Sequence, residues 1–203
     1  MIKTKQQIIV LDKHTKQLTI VSPTHGEFKV LYDAEDEDKI SEYTWHAAKN
    51  TTTDKFYIRA HVPHPSGDWY YRPGGRRSRR QAGMPLHRLI MNTPKGMQTD
   101  HINGDTLDNR KQNLRICTAA ENQRNRGPTK NNKSGFKGVG WHTRNKKWYA
   151  RIMHNNKRTY LGSFKDKEEA ARAYDRKAIE LHGEFAKLNF PIEDYADTFC
   201  HKN

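Results

Sequence analysis

Cysteine is scarce: Cys117 and Cys200 stand far apart in 203 residues, neither in a C-x-x-C pair. That excludes a disulfide framework and points to a reducing compartment, the cytoplasm. Long apolar runs are missing, as is any basic amphipathic helix with a bulky apolar face, so no membrane partner is expected. Met1 to Leu11 has lysines but no extended apolar core or small-residue cleavage site, and no signal peptide is read there. Apolar residues make up 33% against 30% charged, thin for one large core. Two or three small cores joined by basic linkers fit better. Acids are short too: 23 Asp and Glu against 37 Lys and Arg leave a net charge of +14. Such a surplus attracts a polyanion in a salt-dependent way, each neutralised phosphate releasing counterions, and nucleic acid is the expected partner. No small-molecule substrate is indicated, and a monomer is expected.

Short β-rich runs fill the first part of the chain, Ile8 to Leu11, Leu18 to Val21 and Phe28 to Tyr32, divided by Lys, Pro and Gly turns. The acidic stretch Asp33 to Asp38 reads as a solvated turn and first helical turn, since acids favour a helix N-terminus. A calcium loop is the alternative, but the loop glycine and spaced ligands are absent. Trp45 to Ala48 and Phe56 to Val62 read as two more strands, in which His46 and His61, with His64 beyond, are strand or loop residues rather than ligands. Residues 71–81 hold five arginines, among them Arg76, Arg77, Arg79 and Arg80, around two adjacent glycines. They form a basic arm suited to phosphate contact or the minor groove, or else a merely solvated insertion.

The chemistry concentrates between Leu86 and Arg126. Asp100 and His101 are adjacent, a polar Asn103-Gly104-Asp105 turn follows, then Asn113, the apolar run Leu114 to Cys117, and a capping box Thr118-Ala119-Ala120-Glu121 that starts a helix carrying Asn122. Read as strand, loop, strand and helix, the segment can bring Asp100, His101 and Asn122 together. A carboxylate and an amide carbonyl are hard oxygen ligands suited to Mg²⁺, with Mn²⁺ as a substitute, and zinc is the poorer match because no thiolate lies near a second histidine. A histidine beside such a cation can take a proton from water at neutral pH. Phosphodiester hydrolysis is the chemistry implied.

The pattern H-R-L (87–89), D-H-I-N-G-D (100–105), L-D-N-R-x-x-N-L-R (107–115) and E-N (121–122) resembles the HNH endonucleases of phage introns and homing genes. The resemblance implies a ββα-metal nuclease in which His101 is the general base and Asp100 and Asn122 hold the metal against the scissile phosphate. It makes Asn113 the middle letter of the motif, pinning the loop by side-chain to backbone hydrogen bonds. It places His87 near the phosphate, with Arg88 as a DNA contact; both are equally readable as scaffold residues. The last letter is Asn122 rather than His, as in the homing branch. A weaker likeness reaches back to about Phe28 through the Trp45 and Tyr57-x-Arg59-x-His61 segments.

Gly127 to Lys133 is a polar, turn-rich linker. Beyond it, Gly138 to Trp141, Lys147 to Met153 and Arg158 to Phe164 read as three strands with Asn155-Asn156 as a hairpin turn. Alternation places Trp148, Ala150, Ile152 and Leu161 on one face and Lys147, Tyr149, Arg151, Arg158 and Tyr160 on the other. Asp166 to Glu169 caps a helix that runs to Gly183, with alanines that allow close approach to the sheet. Residues 138–191 closely resemble the APETALA-type, ethylene-response-factor DNA-binding domain. The two resemblances narrow the expected partner to double-stranded DNA, and this one implies DNA contacts from Arg144, Lys147, Tyr149, Arg151, Arg158 and Tyr160. It departs at Gly140, where plant members carry arginine, at Arg151, which replaces an acid, and at Tyr160, which replaces tryptophan, so the plant target sequence does not carry over.

The expected architecture is α+β. A β-rich region with the basic loop spans 1–84, the nuclease motif 85–127, a linker 128–133, the DNA-binding domain 134–191 and a weakly ordered tail 192–203. The expected function is a metal-dependent, site-specific homing endonuclease of a bacterial host cell, encoded by a phage or mobile element. The rivals are a non-cleaving DNA-binding regulator on the same scaffold and, on charge alone, a basic RNA-binding protein.

Overall fold

The computed structural model describes residues 5–51, 53–64, 66, 69–71, 77–79, 81–129 and 131–198, with 5, 69–71, 77–79, 197 and 198 described by backbone alone. It is a mixed α and β protein of small antiparallel sheets and few helices, dividing into two compact units, residues 1–118 and 119–203.

In the first unit β1 (Lys5–Val10), β2 (Thr15–Ser22) and β3 (Gly26–Asp33) form a meander in that order. Alternation along β3 sends Phe28, Val30 and Tyr32 inward, where they join Leu18 and Ile20 of β2. A 3-10 turn at Ala34–Asp36 leads into α1 (Glu37–Ser41), whose Ile40 is buried and whose Ile40 carbonyl accepts a 2.8 Å bond from the Trp45 indole. Next come β4 (Trp45–Lys49) and β5 (Phe56–Pro63), then the short ribbon of β6 (Trp69–Tyr71) and β7 (Arg77–Arg79). β8 (Gln81–Pro85) adds to β5, giving the sheet order β4, β5, β8. α2 (Leu86–Ile90) follows, then the hairpin of β9 (Gln98–His101) and β10 (Leu114–Cys117).

One apolar cluster holds this unit together. Trp45, Ile58, Ala60, Leu86, Ile90 and Leu114 are buried with the β2 and β3 side chains. The β-rich region and the segment from 85 to 118 therefore share a core, where the sequence had indicated separate regions. A hydrophobic pattern reports which residues are inside, not which inside they occupy.

Two further expectations change here. The acidic stretch is solvated only in part: Glu35 and Asp38 are exposed, but Asp36 is only 1% exposed and pairs with Lys39 at 3.0 Å and with Lys111 at 3.1 Å, while Asp33 accepts from the Lys111 backbone N–H at 2.7 Å. Its carboxylates anchor the loop before β10. The basic arm contains strand pairing, Trp69 opposite Arg79 and Tyr71 opposite Arg77, although Arg76 and Arg80 lie outside the described residues.

The second unit begins with α3 (Ala119–Arg124). Its sheet consists of β11 (Val139–His142), β12 (Lys147–His154) and β13 (Lys157–Phe164) in that order. Asn155 and Asn156 both have positive φ, 48° and 60°, the requirement of a two-residue primed turn between His154 and its register partner Lys157. α4 (Lys167–His182) starts where the Asp166 carboxylate accepts from the N–H groups of Glu168 and Glu169, and ends at Gly183 with φ 53°. Ala170, Ala171 and Ala178, each fully buried, let α4 lie close on Val139, Ala150 and Ile152.

The segment after Pro191 departs from expectation as well. Ile192–Thr198 forms 3-10 structure, and Tyr195, 3% exposed, donates its hydroxyl to Asp175 at 2.7 Å. Asp175 is a fully buried carboxylate on α4 that also accepts from the Asn189 and Phe190 backbone N–H groups and from the Asn189 amide. Burial pushes its carboxyl up, and these donors oppose the shift. A buried acceptor of this kind recruits chain that has no apolar pattern of its own.

Candidate active site and nucleic-acid interface

β9 ends at His101, and antiparallel register sets His101 opposite Leu114 and Asp100 opposite Arg115. Arg115 grips the carboxylate, its Nη2 and Nε lying 2.9 and 3.2 Å from Asp100 Oδ2. Both Asp100 and His101 are buried. The loop from 102 to 113 supplies the supports. Asn113 donates its side-chain amide to the Asp108 carbonyl at 2.8 Å and accepts from the Asn103 N–H at 3.0 Å, while the Ile102 N–H reaches the Asn113 carbonyl at 2.8 Å. Asn103 accepts from the Asp105 N–H at 2.7 Å around Gly104, whose φ of 79° is costly for a residue with a Cβ. The loop is fixed from outside by the Leu31 and Asn109 backbone bonds between β3 and the loop, and by the Thr106 hydroxyl on the Phe56 carbonyl at 2.5 Å.

The state of His101 follows from one contact. Asn109, 1% exposed, donates its Nδ2 to the Thr106 carbonyl at 3.3 Å, which turns its Oδ1 toward His101 Nε2 at 3.3 Å. An amide oxygen only accepts, so Nε2 carries the hydrogen and the neutral ring keeps its lone pair on Nδ1. Burial lowers the His101 pKa, opposed by the Asn109 bond and the nearby carboxylates of Asp100, Asp105 and Asp108. The ring is therefore a neutral base at pH 7.

His87 on α2 packs edge-on to His101 with centroids 5.0 Å apart, and Tyr57 lies beside both at 6.0 and 6.4 Å. Burial first, then the charges of His101, Arg88 and Arg59, push His87 down to about 3. Arg88 is committed to structure: its guanidinium donates to the Met97 carbonyl at 2.7 Å, to Thr93 at 3.3 Å and to Pro94 at 3.4 Å. Those bonds close the turn after α2, the scaffold role that the sequence also allows for Arg88.

Asp100, His101, His87 and Asn113 thus come together in the first unit. Asn122 stands on α3, which belongs to the second. Among the described residues no group of three or more His, Cys, Asp or Glu is arranged for a metal ion. The buried Asp100 carboxylate is a hard oxygen donor of the kind a divalent cation takes. Arg115 and Asn109 were not singled out by sequence reasoning. Both lie within the L-D-N-R-x-x-N-L-R run, and only β9 to β10 register and loop closure give them partners.

In the second unit the sheet face away from α4 is basic and aromatic. Lys147, Arg151, Arg158 and Tyr160 are exposed, Tyr149 is half-buried, and Arg144 lies exposed in the turn between β11 and β12. Arg151 sits opposite Tyr160 in register and packs its guanidinium over the Tyr149 ring at 5.3 Å. The Tyr160 hydroxyl meets Ser163 at 2.5 Å. A register shift after Ala150 leaves Leu161 as an extra residue and twists β13. At Gly140 a Cβ would lie 2.5 Å from the Tyr149 ring and hydroxyl, so Tyr149 occupies the space that a side chain there would need. The expected DNA-facing arginines Arg77 and Arg79 lie on β7, of which the backbone alone is described.

Residues 92–124 match the sequence profile of the family described as HNH endonuclease. Protein 3.8 of Escherichia phage T7 is 36% identical over 95 residues, 47% of this chain and 78% of that protein. The Ethylene-responsive transcription factor WRI1 of Arabidopsis thaliana is 45% identical over 71 residues, 34% of this chain. APETALA2-like protein 2 of Oryza sativa subsp. japonica is 42% identical over 72 residues, 36% of this chain. The chain spans 16% of the length of each of these two plant relatives.

Proposed function

This chain belongs to the HNH endonuclease family, with an APETALA2-like segment joined to it, and from that premise we propose that it is a site-directed, metal-dependent DNA endonuclease of homing type. The observation that carries the proposal is His101: a buried ring at a strand end, neutral at pH 7, whose tautomer is set by Asn109.

His101 Nδ1 accepts the proton of a water as that water attacks the phosphorus. The bond to the 3′-oxygen breaks and the departing oxygen takes a proton from solvent water, leaving a 5′-phosphate and a 3′-hydroxyl. Asn109 holds the hydrogen on Nε2, so the ring cannot present its protonated nitrogen to the water. Asn113 keeps the loop closed and His101 in place. His87, neutral beside His101, adds no repelling charge when His101 becomes protonated. Asp100, oriented by Arg115, and Asn122 are the proposed ligands of Mg²⁺, for which Mn²⁺ substitutes. A divalent ion bound there would offset charge on the phosphate and on the departing oxygen. The cationic sheet of the second unit would position the duplex through groove and phosphate contacts, without the plant target sequence. The proposed division of the chain keeps the motif at 85–127, a linker at 128–133 and the DNA-binding domain at 134–191, acting as a monomer in the cytoplasm of a bacterial host.

A non-cleaving regulator is the second reading, and the APETALA2-like relatives, named as transcription factors, are what favour it. One experiment separates the two. Phage genomic DNA is incubated with the protein and Mg²⁺, and the ends are mapped. Recurrent 5′-phosphate ends that vanish with chelator, and fall roughly 10²–10⁴-fold in rate with His101→Ala while duplex binding persists, are expected. Unchanged nicking by His101→Ala would remove the assigned base.

A further inference from the structure

The second unit contains a cavity of about 630 Å³ between α3 with the chain that follows it, the ends of β12 and β13, and α4. Its wall carries Arg124, Lys137, Arg151 and Arg158 together with His154 and His182, and no Asp or Glu among the described residues. Four cations around one cavity with no carboxylate in its described lining make it electropositive.

Two orphaned atoms sharpen this. His154 and His182 stack with ring centroids 5.4 Å apart and planes 27° apart, and His154 Nδ1 and His182 Nε2 are both buried without a hydrogen-bond partner. His182 is 8% exposed and lines the cavity. An orphaned buried ring nitrogen is uncommon in a folded protein and calls for a missing partner. Lys137 donates one of its three N–H groups to the Arg124 carbonyl, so its Nζ is held at the wall.

A metal ion is the poorer partner for this histidine pair, because four cations line the same space. An anion is the better one. We propose that the cavity is a phosphate-binding site, which takes either a backbone phosphodiester of bound nucleic acid or a free phosphate group. The electrostatics agree. His182 is pushed down to about 4, by burial first and then by the charges of Arg124, His154 and Lys137, while a bond to the Met153 carbonyl opposes the shift. Lys137 is lowered to about 8 by burial and then by Lys187, with the Asp175 carboxylate opposing the shift. Every charge that lowers them is positive, and a bound phosphate reverses the sign of that environment, turning both imidazoles into donors. Arg151 and Arg158 line the cavity and are also exposed on the cationic sheet, so the two surfaces share these side chains.

The site does not depend on cleavage and is tested without it. Imidazole signals of the full chain, which has 11 histidines, are followed by two-dimensional NMR at constant ionic strength as inorganic phosphate is added. The His154 and His182 signals, assigned with His154→Gln and His182→Gln, are expected to shift saturably. The His182 titration should climb by about one pH unit or more, and Lys137→Gln should weaken phosphate binding about tenfold. If Lys137→Gln disturbs the fold, Arg124→Gln serves in its place, with the same expected loss. The same shift from chloride, no saturation, or wild-type affinity in the folded variant would overturn the proposal. A short duplex then identifies the source: displacement of phosphate by DNA marks a backbone phosphodiester, and simultaneous occupancy marks a free phosphate group.

Discussion

His87 and His101 meet edge to face with ring centroids 5.0 Å apart, two buried imidazoles on separate elements that share one desolvated space. Desolvation penalises the charged form, and the charge of His101 adds to the lowering of His87. For catalysis by His101 the consequence is a base already free of its proton below the usual histidine range. The acid limb of kcat/KM against pH is expected below about 6.5, the ordinary histidine value. An acid limb whose midpoint lies above pH 7 with saturating Mg²⁺ would rule out a buried His101 as the titrating base.

The same burial makes the first unit sensitive to acid. His87 is lowered to about 3, so between that value and its unfolded pKa near 6.5 the unfolded chain binds a proton that the folded one does not. Stability is therefore fully present above about pH 6.5 and is lost as pH falls toward 3. Urea unfolding of the first unit followed by Trp45 fluorescence, between pH 4 and 7, should show that slope. His87→Gln, which cannot protonate, should flatten it even if the variant is less stable overall.

Asn109 has its own signature. Asn109→Leu removes the acceptor that fixes the His101 tautomer, and a loss of roughly 10–100-fold in cleavage is expected, with duplex affinity unchanged. Asn109→Asp keeps an acceptor and adds a negative charge. It should retain much of the rate while moving the acid limb upward, since an opposite charge favours the protonated ring. Equal losses in the two variants, with no shift in the pH profile, would reduce Asn109 to a packing residue.

The strands β1 to β5 and β9 to β13, the Asp166 cap and the Asn155-Asn156 turn are legible in the sequence because each depends on residues within a few positions. So is the pairing of Asp100 with His101, which is adjacency itself. Illegible features have distant partners. Asp33 meets the Lys111 backbone across 78 positions, Thr106 meets Phe56 across 50, and Tyr195 meets Asp175 across 20. Composition cannot choose between a solvated acidic turn and a buried anchor such as Asp36, and an arginine that caps its own turn, like Arg88, has the same one-letter code as one that binds phosphate.

Two glycines of the C-terminal sheet distinguish fold from DNA contact. A Cβ at Gly138 would lie 2.0 Å from the buried Tyr174 ring, at a φ of 79°, so Gly138→Ala must move part of the core. A destabilisation of the second unit by roughly 2–4 kcal/mol is expected in thermal or denaturant unfolding. At Gly140 the added Cβ meets instead the Tyr149 side chain, which lies on the open face and can swing away. Gly140→Ala should leave the unfolding midpoint nearly unchanged and weaken duplex binding, because Tyr149 is the ring against which Arg151 is held. Removing the ring as well is the control: Gly140→Ala with Tyr149→Ala should bind no more weakly than Tyr149→Ala alone. If instead the two losses add, Gly140 acts on DNA by a route other than Tyr149, and the departure from the plant arginine at that position has a different cause.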